Sequence, residues 1–259
     1  MTLPMETLPW LIDKDGLLRS DREPSLGRYG PCFSGALTAS EEKTIMAGLL
    51  LLARQGQSEA DARDLFVGNS DSRLTHLGRE EARGIASQLR RSTTRVDLIV
   101  QQRSRQSEES VQIVRKELGV QVPVLIDAGF CERDLGDITR MNKELALQLY
   151  GADYVLRWRR SFDSAPPNGE SLRDFRDRVW PPFQELVATE VYKGRNVLVI
   201  SDSDFIRVLA CEIEEIPPDK VETVEFERGQ VIAYSFGGDG RTRNSTRSSH
   251  LRIVASVSQ

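Results

Sequence analysis

The chain has 259 residues, 29% of them charged, and a net charge of −4, which fits an ordinary globular protein and argues against a nucleic-acid binder. Its longest apolar run, about ten residues, is too short to span a membrane. Cys32, Cys131 and Cys211 are far apart, odd in number and without metal-ligand spacing, so they read as free thiols of a reducing compartment.

In chain order, residues 1–43 carry Pro4, Pro9, Pro24 and Pro31 and no sustained period, and read as an N-terminal extension on the surface or partly disordered. Arg19, Arg22 and Arg28 are interleaved with Glu6, Asp13, Asp15, Asp21 and Glu23, a mixture unlike a transit peptide. A cytoplasmic protein is expected, with a mitochondrial location left open. A continuous apolar run then rises from Ile45 to Ala53 and stops at Arg54-Gln55-Gly56, as a central strand buried on both faces would. Ligand sites in such sheets lie at the carboxyl ends of strands, which directs attention to these three residues.

Ala82, Ile85, Ala86 and Leu89 lie at helical spacing within 79–91, and Val96–Val100 reads as a second strand. A helix over about 104–118 with Val111, Val114 and Leu118 on one stripe leads to a third strand, Val122–Ile126. An irregular loop through Glu132-Arg133-Asp134 precedes helices over Asn142–Tyr150 and Tyr154–Phe162. After a turn at Pro166–Gly169 comes a long amphipathic segment, 170–192, that Pro181-Pro182 should kink or divide. Strand Asn196–Ser201, helix 204–215 and strand Val231–Phe236 complete the domain, taken as 44–237. Gly237–Gly240 reads as a turn, and 238–259 as a loosely ordered Arg/Ser-rich tail. Alternating strands and helices predict an α/β fold, a three-layer αβα sandwich around a mostly parallel sheet.

Several motifs lie in this frame: Arg54-Gln55-Gly56-Gln57-Ser58, Phe66-Val67-Gly68, Asp71, Leu74-Thr75-His76-Leu77-Gly78, Asn142-Lys143, Trp158-Arg159-Arg160-Ser161-Phe162, Pro166-Pro167 and Glu170-Ser171-Leu172. In this the chain resembles the cofactor-dependent phosphoglycerate mutases of the histidine phosphatase superfamily, from about Ile45 to Phe236. The resemblance implies that Arg54 is a phosphate-binding arginine, and that Gln55 stands where the family has its phosphorylated histidine. It places Gln106, in Ser104-Arg105-Gln106-Ser107, at a second phosphate-binding arginine. Asp202 stands at the second histidine, and Glu132 at the proton donor. Arg133, Lys143, Arg159 and Arg160 match substrate contacts, while Asp134 and Leu135 replace a His-Tyr pair. Phosphoryl transfer through histidine needs a nucleophilic imidazole and concentrated positive charge. A glutamine amide offers no nucleophile, and Asp202 puts negative charge where phosphate needs positive. The only histidines, His76 and His250, lie outside both motifs.

A bland alternative accompanies each retained residue: Arg159 and Arg160 as ion-pairing residues of their helix, Glu132 as a structural carboxylate, Cys131 as a small filler. Asp202 has no accompanying carboxylate cluster with which to form a magnesium-assisted acyl phosphate. The expectation is a catalytically inactive mutase-like protein, without metal or cofactor, acting as a binding or scaffolding component. A protein partner would use the extension and tail, with no nucleic acid and no membrane. The alternative is a sensor of a phosphorylated small molecule, or a mutase or phosphatase of altered chemistry. An Arg54–Asp202 salt bridge, ringed by Gln55 and Gln106, is expected across the emptied phosphate site.

Overall fold

A computed structural model describes residues 11–12, 17–19, 47–236 and 242–246. Cys32, His250, the Gly237–Gly240 turn and the remainder of both terminal segments lie outside the described residues.

Eight strands form one sheet: β1 (Leu11–Ile12), β2 (Leu17–Arg19), β3 (Leu49–Arg54), β4 (Leu98–Gln101), β5 (Val124–Ile126), β6 (Val197–Ser201), β7 (Val231–Phe236) and β8 (Thr242–Thr246). Their order is β1-β2-β5-β4-β6-β3-β7-β8. The run from β2 to β3 is parallel throughout, and β1, β7 and β8 are antiparallel to their neighbours. Alternation along the buried strands divides the core into two layers. Leu50 and Leu52 of β3 pack with Phe175, Val179 and Phe183 of α6 (Leu172–Leu186) and Phe205 and Leu209 of α7 (Ser203–Ile213). Leu51 and Ala53 face the other way, onto Ile85 and Leu89 of α2 (His76–Arg91) and Val111 and Val114 of α3 (Arg105–Leu118). This is the expected three-layer αβα sandwich, with period-2 strands feeding both faces.

The terminal segments depart from the expectation. The extension supplies β1 and β2 to one sheet edge, and Thr242–Thr246 of the tail pairs with β7 at the other. Without them β5 and β7 would present open edges, whose unpaired backbone groups favour added strands. Pro181 and Pro182 do not divide their helix: α6 runs unbroken through both and passes into a wider helical turn over Val187–Val191. Its buried face, including Val179, Phe183 and Leu186, is seated on the core, and that packing holds the helix against the lost backbone donors.

A third, smaller core of Phe66, Ile138, Ala146, Val155 and Trp158 carries α4 (Lys143–Tyr150) and α5 (Ala152–Arg160). Gly151, with φ of 84°, makes the turn between them, a conformation that favours glycine. This helical pair stands over the carboxyl ends of the parallel strands.

Candidate active site

The register fixes the floor. Arg54 is opposite Ser201, and Gln101 of β4 is opposite Ile200, so Gln55, Gln102 and Asp202 emerge side by side from three adjacent strand ends. The Gln55 N–H donates to the Ser201 carbonyl at 2.9 Å, extending the ladder by one bond. Gly56 and Gly78 explain two of the motif glycines: a Cβ on Gly56 would come within 2.1 Å of the Gly78 carbonyl oxygen, and one on Gly78 equally near that of Gln57. The loop after β3 therefore lies directly against the start of α2.

A cleft of about 380 Å³ opens here, a size suited to a small ligand. Seven basic and five acidic side chains line it, so its field is net positive. They are unevenly placed. Glu132, 6% exposed, sits at the floor, where its Oε1 accepts from Gln55 Nε2 at 3.2 Å and Gln106 Nε2 at 2.8 Å. Burial, with the neighbouring Asp202 carboxyl second, pushes the Glu132 carboxyl up to about 8.

The expected Arg54–Asp202 salt bridge does not form. Arg54 donates from Nη1 to the Phe226 carbonyl at 2.5 Å, and no carboxylate among the described residues pairs with it. Burial, then repulsion from Arg228, lowers its pKa. Asp202 is held elsewhere, as the N-cap of α7: its Oδ1 accepts from the Asp204 and Phe205 N–H groups at 2.7 and 3.1 Å. Its Oδ2 accepts from Gln102 Nε2 at 2.9 Å. With both oxygens committed to the helix end and the adjacent strand, Asp202 does not turn to the guanidinium. Gln55 and Gln106 gather around Glu132 instead.

Arg133 is 2% exposed and donates to the Glu170 and Trp158 carbonyls, both at 2.9 Å, and to Asp204 Oδ2 at 3.2 Å. Arg207 donates to the other Asp204 oxygen at 2.5 Å. Arg133 thus knits the wall to α5 and α7, with much of its guanidinium committed to protein. Arg178 buttresses the loop that carries Glu132, pairing through Nε and Nη2 with Glu170 at 2.7 and 2.9 Å and donating to the carbonyls of Gly129, Cys131 and Glu132. Lys143 pairs with Asp64 at 2.7 Å, and Arg160 with Glu225 at 3.0 Å. Arg159 lines the same cleft, exposed, and has no hydrogen-bonded or ion-paired partner among the described residues.

Arg105, one residue from the position at issue, faces solvent and pairs with Asp71 at 2.8 Å, leaving Gln106 to point inward. His76, the only histidine among the described residues, is exposed in the first turn of α2, away from the cleft lining. No group of three or more histidine, cysteine or acidic side chains among the described residues could hold a metal ion. Gln102, Asp204, Arg178 and Arg207 had no assigned role in the sequence. The Asp202-Ser203-Asp204 start of α7 is a readable capping signal, which accounts for the contacts of Asp202 with the Asp204 and Phe205 N–H groups.

The family model for the histidine phosphatase superfamily (branch 1) matches residues 50–247. A 2,3-bisphosphoglycerate-dependent phosphoglycerate mutase of Nitrobacter hamburgensis is 34% identical over 192 residues, covering 74% of this chain and 93% of that protein. One from Azorhizobium caulinodans is 34% identical over 195 residues, covering 75% and 95%. Among solved structures, the α-ribazole phosphatase of Shigella flexneri superposes with a TM-score of 0.69 at 20% identity, covering 80% of this chain and 100% of that one. A mycobacterial glucosyl-3-phosphoglycerate phosphatase gives 0.67 at 25% identity, covering 79% and 100%. With the sheet order, the cleft at its strand ends and a match over most of its length, the chain belongs to the histidine phosphatase superfamily.

Proposed function

We propose that this chain is a catalytically inactive, phosphoglycerate mutase-like protein that works by binding, and that its cleft takes a small anionic ligand without turning it over. The observation that carries the reading is the pair of strand ends: β3 delivers Gln55 and β6 delivers Asp202, at the positions the resemblance gives to the two histidines. A phosphoryl group arriving there would meet an amide that cannot attack it and a carboxylate that repels it. The anion-binding part is supported by the positive lining and by Arg54 and Arg159, which have no carboxylate partner within ion-pairing distance among the described residues; Lys143 and Arg160 add charge at the rim. Arg133 contributes charge from behind the wall. A protein partner docking through residues 1–43 or 238–259, in the cytoplasm, completes the proposal; no helix among the described residues is long and apolar enough to cross a membrane.

The competing reading is a working mutase or phosphatase, which the names of the relatives favour. Purified protein, freed of contaminating mutase, should be assayed with 3-phosphoglycerate, 2,3-bisphosphoglycerate and a generic phosphatase substrate. No turnover above background is expected between about pH 5 and about pH 9, a range spanning the ordinary titration of histidine and of raised carboxyls. Turnover that disappears in Gln55→Ala would overturn the proposal. Gln55→His alone should restore little, because Gln106 and Asp202 still deprive the site of positive charge.

A further inference from the structure

The floor of the cleft has a polarity opposite to its rim. Glu132 and Asp202 both line it, and neither has a cationic partner within ion-pairing distance among the described residues. Asp204, two residues from Asp202, shows what pairing looks like here, with Arg133 on one oxygen and Arg207 on the other. Carboxylates removed from water are ordinarily paired, so two lined up without a cation describe a place for one.

A second, independent feature points the same way. Gln55 and Gln106, 4% and 3% exposed, each turn Nε2 to Glu132, and each is left with an Oε1 that has no hydrogen-bond donor among the described residues. Buried amide oxygens without a donor are uncommon and costly. What the floor lacks is therefore hydrogen-bond donors with positive charge. A primary ammonium has three such donors and no acceptor. Inorganic phosphate alone supplies the reverse.

We propose that the cleft is selective for a small zwitterion, its ammonium directed to Glu132 and Asp202 beside the two glutamine side chains, and its phosphate held at the rim by Arg159. This rests on the anion-binding reading of the same cleft and adds the chemical class of the ligand. Arg54, turned to the Phe226 carbonyl, leaves the carboxyls without a competing ion-paired cation among the described residues. Burial raises the pKa of both acids, and an entering ammonium favours their ionised forms, so binding releases protons.

The test compares O-phosphoethanolamine with ethyl phosphate, which differ by the ammonium, by titration calorimetry at about pH 7.5 in two buffers of different ionisation enthalpy. Phosphoethanolamine should bind at least about tenfold tighter and release protons. Asp202→Asn, which keeps the helix cap, should erase that ratio, and Glu132→Gln should reduce it. Arg159→Gln should weaken both ligands alike. Equal binding of the two phosphates, or a ratio unchanged in both floor variants, would overturn the zwitterion while leaving the anion reading intact. Binding of neither would overturn both. Binding of magnesium or manganese alone in the native protein, lost in Asp202→Asn, without a preference for phosphoethanolamine, would assign the floor to a metal ion and overturn the ammonium.

Discussion

Asp202 and Asp204 share one helix N-terminus, yet their surroundings move them in opposite directions. Burial is the largest influence on both and favours the protonated form. At Asp204 the guanidiniums of Arg133 and Arg207 overcome it and hold the pKa below the usual carboxylate value. At Asp202 no cation does so, and Asp204 itself adds repulsion, so the pKa rises. The same division runs through the site. The Arg133–Asp204–Arg207 side is a completed structural network, whereas the carboxyls of the Glu132–Asp202 side receive only uncharged donors, from side-chain amides, the Ser104 hydroxyl and the backbone. The first side builds the fold; the second is where a ligand has something to add.

The strongest way to break this contrast is to damage the completed side. Arg133→Met removes hydrogen bonds to Glu170, Trp158 and Asp204 from a buried position. A loss of about 3–5 kcal/mol is expected, toward the lower end because Arg207 still holds Asp204. Urea denaturation near neutral pH measures it. A loss below about 1 kcal/mol would show that the network is dispensable, as an exposed ion pair would be.

The second test uses pH. Glu132 ionises near its ordinary value when unfolded and at about 8 when folded. Between those values the folded state holds a proton that the unfolded state has released, so stability falls as pH rises from about 5 to about 8 and levels off above. Each unit corresponds to at most about 1.4 kcal/mol. Asp202, also raised, adds in the same direction. Asp204, depressed, acts oppositely: its stabilisation is present above the usual aspartate range and is lost as pH drops through its folded value. Glu132→Gln should flatten the fall, gaining on the order of 2–3 kcal/mol over the native protein at about pH 8 and little at about pH 5. Parallel stability curves for the two proteins would remove Glu132 from the account.

Asp202 permits a separation of roles. Asp202→Ala deletes the N-cap and should cost about 1 kcal/mol, whereas Asp202→Asn keeps a capping oxygen and should cost less. Both remove a carboxyl next to Glu132, so both should bring the Glu132 titration, followed by carbon-13 NMR, toward the ordinary range. If only the alanine variant moves it, the effect runs through helix geometry and not charge.

How much of this was legible follows from the range of each interaction. The strands and helices came from local patterns: the apolar run ending at Arg54, and the stripes over α2 and α3, are each contained in a short window. The direction of Gln106 was also legible, because one residue along a helix turns Arg105 away. The Arg54–Asp202 bridge, expected from opposite charge alone, does not form because the backbone claims the aspartate first. An aspartate at the first residue after β6 is a helix cap before it is a counterion, and its oxygens were taken locally. Gln102 with Asp202, and Arg133 with Asp204, are separated by 100 and 71 residues. Nothing in the sequence nearby marks those pairings, which exist only once the strand ends are brought level. The edge strands β1, β2 and β8 were missed for the same reason, since their stability comes from neighbours distant in sequence and not from their own pattern.

Arg159 gives the smallest effect on stability and the sharpest on the comparison. It is the rim's counterpart to the unpaired floor, exposed on α5, lining the cleft, with no partner among the described residues to lose. An exposed side chain without a partner contributes little to folding, so Arg159→Gln should stay within about 0.5 kcal/mol of the native protein in urea denaturation. Its neighbours behave differently. Lys143 and Arg160 are tied to Asp64 and Glu225, and part of their charge is answered before a ligand arrives. Arg159 therefore offers the cheapest positive charge to an incoming anion, with no ion pair to break first. Phosphate-bearing ligands should bind Arg159→Gln several-fold more weakly, a difference of about 1 kcal/mol for one partly solvated charge-assisted contact. If stability drops with binding, Arg159 belongs to the structural network of Arg133. If stability and binding both hold, the anion is received elsewhere in the cleft, and Arg54 becomes the residue to change next.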